Sequence, residues 1–363
     1  MNSIHPGVEI ILLCHERWGR NSHHMRALQY QGPNQIEWVT VEDAKLEAAS
    51  DVVIRPTAVA SCDLDWGIVR GQVPFPPPFI LGHEFVGEIV EAGAKVSQFK
   101  KGDRVSVAFQ PSCGHCQPCG HGHSASCRDV APTSMFGVGA VSGDWGGAFA
   151  DLIRVPFADN MLLKLPKDLP AEWFTSVTDN VADAYRAVAP FIQKGGPSRV
   201  LVIGNHDSIP LYAVAFAKAL SAEKITFCTQ SEKAAVNAAQ MGAAIDKVSD
   251  WPARVASHDV VVCASQEPAA LVTALRSTAA QGHCTCVGIL NGDVEFPIRE
   301  MYMRGIHFHT GRVNGAAVHK EAVDWITSGL IRPFDVDTAV VPWDGVIDAL
   351  LNRPAAKLVA VRD

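Results

Sequence analysis

Four cysteines fall within one short loop, spaced Cys113-x2-Cys116-x2-Cys119-x7-Cys127. Four thiolates at such spacings in a turn-rich segment can close a tetrahedral site around Zn²⁺ and leave no open coordination position. Unrelated cysteines in a surface loop are the disfavoured alternative, because exposed thiols are easily oxidised. We therefore predict a structural zinc site and interpret His115, His121 and His123, in the same loop, as solvated neighbours.

A second set of possible metal ligands is less specific. Cys62 and His83 carry the thiol and imidazole groups that zinc prefers, and Glu84 follows His83 directly. Either signal alone is weak, since a histidine beside a glutamate is usually an ordinary surface or core residue. This pair gains meaning only if the fold brings it together with a third ligand.

The elements that must position these residues change in character along the chain. From Met25 to about residue 165, short strands alternate with glycine and proline turns, which is typical of an irregular β domain. After Pro170, continuous apolar strands alternate with helices, as in a doubly wound α/β domain. The predicted strands are 51–55, 86–90, 103–107, 199–204, 224–228, 258–263 and 283–288, and the predicted helices are 171–189, 211–220 and 232–241.

Composition excludes several classes of protein. The 363 residues carry 31 Lys+Arg against 38 Asp+Glu, a net charge of −7, so there is no basic surface for nucleic acid. Hydrophobic residues make up 48% of the chain and charged residues 19%, which indicates two compact domains, not disorder. No apolar run approaches the roughly 20 residues of a membrane span. Ten cysteines, too sparse for a disulfide scaffold, favour metal binding in the reducing cytoplasm.

The N-terminal segment receives its own interpretation. Residues 1–24 contain the apolar run Ile10–Leu13, but no basic residue precedes it and no small-residue cleavage site follows. A secretory signal is therefore not predicted. The first strand is expected near Met25, and residues 1–24 are interpreted as an N-terminal extension.

From Met25 to Asp363 the sequence resembles the medium-chain, zinc-dependent alcohol dehydrogenase family. The resemblance rests on the four-cysteine loop and on the stretches 81–88, 102–105, 146–151 and 305–312. It implies a GroES-like catalytic domain from 25–188 and 315–363, and a Rossmann-like dinucleotide-binding domain from 189–314. The active site would then lie in the cleft between them, and the protein would be a homodimer or homotetramer.

The family pattern also implies which residues carry the chemistry. Carried over residue by residue, it makes Cys62, His83 and Asp179 the ligands of a catalytic zinc ion, with a fourth position open, and the chain would hold two zinc ions. Glu84 would lie beside these ligands or exchange with one of them. Asp179 could instead be an ordinary helix N-cap. The implied reaction interconverts a small alcohol and its aldehyde or ketone by hydride transfer with NAD or NADP.

Two departures from the family pattern weaken that expectation. The Ser or Thr and the His that commonly pass the substrate proton to solvent are replaced by Leu64 and Gly67. In the cofactor loop 204–210, Gly204 is kept, but Pro210 removes an N–H group and Asp207 adds negative charge where a pyrophosphate would bind. His206 narrows the same approach.

The residues expected around the cofactor are Gly204, Ser208, Ile209 and, later in the chain, Arg312. The acidic residue expected after the second strand of this domain is missing. Thr229, Ser231 and Lys233 occupy that region, either as a site for the 2′-phosphate of NADP or as a solvated turn without cofactor. Both interpretations stay open at this point.

Three hypotheses about function follow. The leading one is a zinc-dependent, NAD(P)-linked oxidoreductase of alcohols and carbonyl compounds. The alternative is a zinc enzyme on the same scaffold that acts as a lyase, hydrolase or isomerase, since zinc serves equally well as a Lewis acid there. The third is a catalytically silent binding protein, which the three intact candidate ligands disfavour.

Overall fold

The computed structural model describes residues 24–192, 198–205 and 208–362. Residues 1–23 of the predicted extension, and the loop residues His206 and Asp207, lie outside the described residues. Within the described ranges, every helix is too short or too polar to cross a lipid bilayer.

The strands and helices of the described chain have the following bounds. The strands are β1 (His24–Gly32), β2 (Gln35–Glu42), β3 (Val52–Ser61), β4 (Phe79–Ile80), β5 (Glu84–Ala92), β6 (Arg104–Val107), β7 (Ile153–Val155), β8 (Leu162–Lys164), β9 (Arg199–Ile203), β10 (Lys224–Thr229), β11 (Ala244–Lys247), β12 (His258–Cys263), β13 (Thr278–Cys286), β14 (His307–Thr310), β15 (Thr338–Pro342) and β16 (Lys357–Val361). The helices are α1 (Asp63–Val69), α2 (Gln117–Gly120), α3 (Ala158–Met161), α4 (Asn180–Val188), α5 (Ile209–Ala219), α6 (Glu232–Gln240), α7 (Pro268–Ser277), α8 (Ile298–Arg304), α9 (His319–Thr327) and α10 (Val346–Asn352).

The strands form two architectures. We call their junction, where Asp63 hydrogen-bonds Ser208, the cleft. A mixed sheet has the order β15-β16-β3-β5-β6-β8, with β7 paired to β3, and a small antiparallel sheet has the order β2-β1-β4. The second architecture is a parallel sheet of order β11-β10-β9-β12-β13-β14. This doubly wound order reverses between β9 and β12, the place where such sheets bind dinucleotides. The predicted fold class is confirmed, while the residue limits of the two domains stay predictions.

Strand β9 explains why the parallel sheet is so apolar. Val200 and Val202 pack into the core on one face of the sheet, and Leu201 and Ile203 pack into the core on the other. All four are fully buried. A strand covered by helices on both faces loses the polar alternation of a half-exposed strand, as the sequence predicts.

The predicted helix over 171–189 is wrong in its first half. Residues Ala171–Phe174 form only a short 3₁₀ turn, and α4 begins at Asn180. Asp179 is the N-cap of α4, and its φ of −115° and ψ of −98° are not helical. This break turns the Asp179 side chain toward His83, so the irregular backbone serves the site described next.

Candidate metal centres and cofactor cleft

Three potential metal ligands from separate parts of the chain converge at the cleft. Cys62 is the N-cap of α1, His83 immediately precedes β5, and Asp179 immediately precedes α4. The Cys62 Sγ atom lies 3.4 Å from His83 Nε2, and Asp179 Oδ2 lies 3.2 Å from the same nitrogen. One ligand atom from each residue lies within 4.8 Å of the others.

These separations suit a zinc ion. Tetrahedral coordination with bonds of about 2.0–2.3 Å places neighbouring ligand atoms about 3.3–3.8 Å apart, close to the distances above. A thiolate, an imidazole and a carboxylate also leave one position open, as a catalytic site requires. The donor set and its spacing therefore fit the predicted metal.

A buried carboxylate lies behind the imidazole ring. Asp65 Oδ1 is 3.4 Å from His83 Nδ1, and Asp65 Oδ2 accepts a 2.8 Å hydrogen bond from the Cys62 backbone N–H. Burial acts to lower the pKa of His83, but the charges of Asp65 and Cys62 and the contacts with Asp179 and Asp65 together hold that pKa well above its usual value. Asp65 thus orients two ligands at once and supplies the negative field that a cation needs.

Glu84 is bound by residues other than the three ligands. Its carboxylate accepts a hydrogen bond from Lys357 Nζ and lies 3.4 Å from the Asn180 backbone N–H, while Lys357 donates a 2.9 Å bond to Asn180 Oδ1. All three residues are buried. Burial alone favours a neutral amine, but the Glu84 charge raises the pKa of Lys357, so the ammonium is retained. The network joins β5, α4 and β16 directly beneath the site.

The four-cysteine loop forms a second centre. Cys113 Sγ is 4.0 Å from Cys119 Sγ, and Cys116 Sγ is 3.9 Å from Cys127 Sγ. Zinc–sulfur bonds of about 2.3 Å predict sulfur separations of about 3.8 Å. Backbone N–H groups also point at the sulfurs, including Cys116 N at 3.2 Å from Cys113 Sγ. The loop is therefore arranged for a closed zinc site. His115 Nδ1 lies 3.6 Å from Asp129 Oδ2 at its exposed edge.

The loop after β9 leads to the predicted cofactor site. Gly204 lies so close to the end of β12 that a Cβ atom there would be 3.1 Å from the carbonyl oxygen of Ala264, the residue after that strand. Ser208 is the N-cap of α5, followed by Ile209 and then by Pro210 in the first turn. Proline costs the helix nothing there, because the first N–H groups have no partner within the helix. Pro210 therefore removes one N–H donor from the N-terminus of α5 without breaking the helix.

The residues suggested for a 2′-phosphate already have partners. Thr229 Oγ1 donates to Asn205 Oδ1 at 3.1 Å, and Ser231 Oγ accepts from the Ala234 N–H as the cap of α6. Lys233 Nζ lies 3.7 Å from Asp337 Oδ2. These contacts favour a structural role for the turn, and its binding of a cofactor stays a prediction.

Arg312, which is expected near the cofactor, and several aromatic residues make contacts within the fold. Arg312 donates to the carbonyl groups of Ala125 and Ser134, each at 3.3 Å, so it ties the end of the four-cysteine loop to the cleft. Trp66 is buried in the catalytic core. His283 stacks on His307 and lies 3.1 Å, Nδ1 to Nε2, from His309. The cysteines of β12 and β13 are buried core residues.

Sequence reasoning missed two residues that complete these sites, Lys357 and Arg353, and it gave Asp65 no role toward the ligands. Asp65 stands three residues after Cys62, but a lone aspartate at a helix start is usually a solvated cap. Lys357 carries no sequence signal at all, because it comes from a strand at the far end of the chain. Arg353 Nη2 lies 2.5 Å from Asp63 Oδ1 at the mouth of the cleft.

Both halves of the chain match domains of known proteins. Residues 48–167 match the alcohol dehydrogenase GroES-like domain, and residues 209–328 match the zinc-binding dehydrogenase domain. A glutathione-independent formaldehyde dehydrogenase from Pseudomonas aeruginosa is 34% identical over 210 residues, which cover 54% of this chain and 52% of that protein. A zinc-type alcohol dehydrogenase B from Aspergillus flavus is 26% identical over 326 residues, 83% of this chain and 72% of that protein.

Among solved structures, the alcohol dehydrogenase TADH from Thermus sp. ATN1 has the same fold. It superposes with a TM-score of 0.84 at 24% identity, over 93% of this chain and all of that chain. The match with the formaldehyde dehydrogenase spans about half the length of that relative. Its substrate and assembly are therefore properties of that protein alone.

Proposed function

This chain belongs to the zinc-dependent medium-chain dehydrogenase/reductase family, and on that premise we propose that it interconverts an alcohol and its aldehyde or ketone with NAD(P). The convergence of Cys62, His83 and Asp179 on one tetrahedral position carries the proposal. A silent binding protein would have no need of a set of ligands that leaves one coordination position open.

The chain's own residues have distinct tasks in this reaction. Cys62, His83 and Asp179 would hold the catalytic zinc, which when bound is a Lewis acid that lowers the pKa of a substrate alcohol. Asp65 fixes the imidazole of His83 through its Nδ1 side. The Phe109 ring lies 6.0 Å from the ring of His83 and supplies an apolar surface beside this ligand.

The Rossmann-like sheet would bind the nicotinamide cofactor, which accepts or donates the hydride. The strand order reverses between β9 and β12, and Ser208 at the start of α5 hydrogen-bonds Asp63, the residue after the ligand Cys62. Gly204 gives the backbone its close approach there, and Ser208 lies at the N-terminus of α5. Leu64 and Gly67 have no side-chain group that could accept or donate a proton, so neither residue relays the substrate proton.

The redox function is preferred over the non-redox alternative because the relatives reported above are dehydrogenases. Turnover of carbonyl compounds that consumes NADH or NADPH tests this directly. Loss of that turnover in Cys62→Ser, with retention in the core control Cys228→Ala, is the expected result. Turnover that persists after all nicotinamide is removed would instead establish the non-redox alternative.

We also propose that the protein self-associates through its parallel sheet. Strand β14 ends the sheet with a free edge in the described chain, and the segment before it exposes Ile289, Ile298, Tyr302 and Met303. Tyr302 is 83% exposed. A large apolar patch beside an unpaired strand suits a second copy of the same surface.

Sedimentation of Tyr302→Glu measures this association. The substitution should shift the protein to monomer, while Val340→Glu, at an exposed position on another strand, should leave the assembly unchanged. An unaltered molecular mass in Tyr302→Glu would refute the interface. A cytoplasmic location completes the proposal, since a reducing compartment keeps the four clustered thiols available to metal.

A further inference from the structure

Asp63 joins the two halves of the cleft. Its Oδ2 atom accepts a 2.6 Å hydrogen bond from Ser208 Oγ, and its Oδ1 atom lies 2.5 Å from Arg353 Nη2. Asp63 is the first residue of α1, Ser208 is the N-cap of α5, and Arg353 follows α10. One carboxylate thus bridges three elements that come from distant parts of the sequence.

The place that this carboxylate takes is an anion position. The N-terminus of α5, immediately after the first strand of a doubly wound sheet, is where such folds place a cofactor pyrophosphate. The Ser208 hydroxyl donates to Asp63 instead of capping its own helix. Asp63 therefore accepts the Ser208 hydrogen bond and pairs with the Arg353 guanidinium, two interactions that a phosphate oxygen could otherwise make.

Arg353 is the C-cap of α10, and its φ of 46° is the left-handed conformation with which helices commonly end. Its guanidinium lies over the Trp66 ring, 5.4 Å from the centroid, and the side chain is 26% exposed. A guanidinium that is partly exposed and lies beside the carboxylate bound by Ser208 is suited to bind a phosphate.

We propose that Asp63 is a resident anion at the cofactor-phosphate position and that Arg353 is the cation that binds the cofactor phosphate once Asp63 is displaced. This inference rests on the proposed NAD(P)-linked function. Beyond Gly204, the loop 204–210 lacks the glycines that usually let the backbone approach the phosphate. In this proposal the phosphate is bound instead by the positive charge of Arg353 at the end of α10. Cofactor binding breaks the Ser208–Asp63 bond and replaces it with a bond to phosphate.

The test measures the affinity for NADH and NADPH by calorimetry, without turnover. Asp63→Asn keeps the shape of the side chain and removes its charge, so the Kd should fall about tenfold for the cofactor that the wild type prefers. Arg353→Gln should raise the Kd about tenfold or more. Asp151→Asn is the matched control, because Asp151 forms a comparable pair with Arg362 at 2.9 Å, outside this bridge. Circular dichroism and zinc content establish that each variant is folded.

The outcomes separate the inference from the function on which it rests. Tighter binding by Asp63→Asn with weaker binding by Arg353→Gln supports the proposal. Weaker binding by Asp63→Asn would overturn it, because Asp63 would then only support Arg353. Unchanged Kd values in both variants beside measurable wild-type binding would also overturn it and leave the proposed function intact. Failure of the wild type and all variants to bind either cofactor would overturn both.

Discussion

Lys357 and Glu84 form a buried ion pair that connects the last strand of the chain to the residue next to His83. Both side chains are almost completely inaccessible, and Asn180 accepts the second hydrogen bond of the ammonium group. The pair therefore couples the metal-binding end of β5 to the start of α4, where Asp179 lies.

Removal of one partner should be far more harmful than removal of both. Lys357→Met leaves the Glu84 carboxylate buried without a cation, which costs about 3–5 kcal/mol of unfolding free energy. The double variant Glu84→Gln with Lys357→Met should recover most of that loss, because no charge stays buried. Denaturant unfolding of the wild type, both single variants and the double variant gives the coupling energy. Additive losses in the double variant would refute the pairing.

Asp65 should govern metal affinity without binding metal itself. Because it holds the ring of His83 and the backbone of Cys62, Asp65→Asn should weaken zinc binding at the cleft by about 10–100-fold. Competition with a chelator measures this, and the four-cysteine site serves as the control within the same molecule. Equal zinc affinity at the cleft in wild type and variant would show that the carboxylate has no such role.

The four-cysteine loop should be required for stability. Cys116→Ser removes one ligand from a closed site and should lower the unfolding free energy by more than about 4 kcal/mol, with loss of one zinc ion. Cys228→Ala, a buried cysteine outside both centres, is the matched control. Thermal unfolding with metal analysis checks both variants, and an unchanged midpoint in Cys116→Ser would contradict a structural zinc.

A buried histidine should make the fold sensitive to acid. Burial lowers the pKa of His319 to about 3, and its Nε2 lies 2.5 Å from Ser106 Oγ. The unfolded pKa is about 6.5, so protonation favours the unfolded chain. Stability is complete above that value and falls by up to about 1.4 kcal/mol per pH unit as pH drops toward 3. His319→Gln should flatten this dependence; an equally steep slope in the variant would assign it to other groups.

Sequence alone predicted the fold and the four-cysteine centre because their signals are local, whereas the set Cys62, His83 and Asp179 followed only from the family resemblance. Four cysteines within one loop, and apolar runs such as 199–204, depend little on distant residues. The helical pattern over 171–189 hides the break before α4, and only the alternative that Asp179 is a helix N-cap indicated where α4 begins.

The partners of the site were beyond sequence reasoning for a different reason. Lys357 and Arg353 come from the end of the chain, and nothing in their neighbours indicates that they return to Glu84 and Asp63. Spacing predicts which side chains share a turn or a loop. It does not predict which of two distant segments will lie side by side in a folded cleft.

The most direct test of the account is the rate at which the zinc-loaded protein oxidises NADH or NADPH in the presence of aldehydes and ketones, measured beside Cys62→Ser. The wild type should turn over at least one carbonyl class, and Cys62→Ser should lose that activity together with one zinc ion while it keeps the zinc of the four-cysteine loop. Cofactor oxidation that continues unchanged in Cys62→Ser, or a fully loaded wild type that oxidises neither cofactor with any carbonyl, would contradict the account.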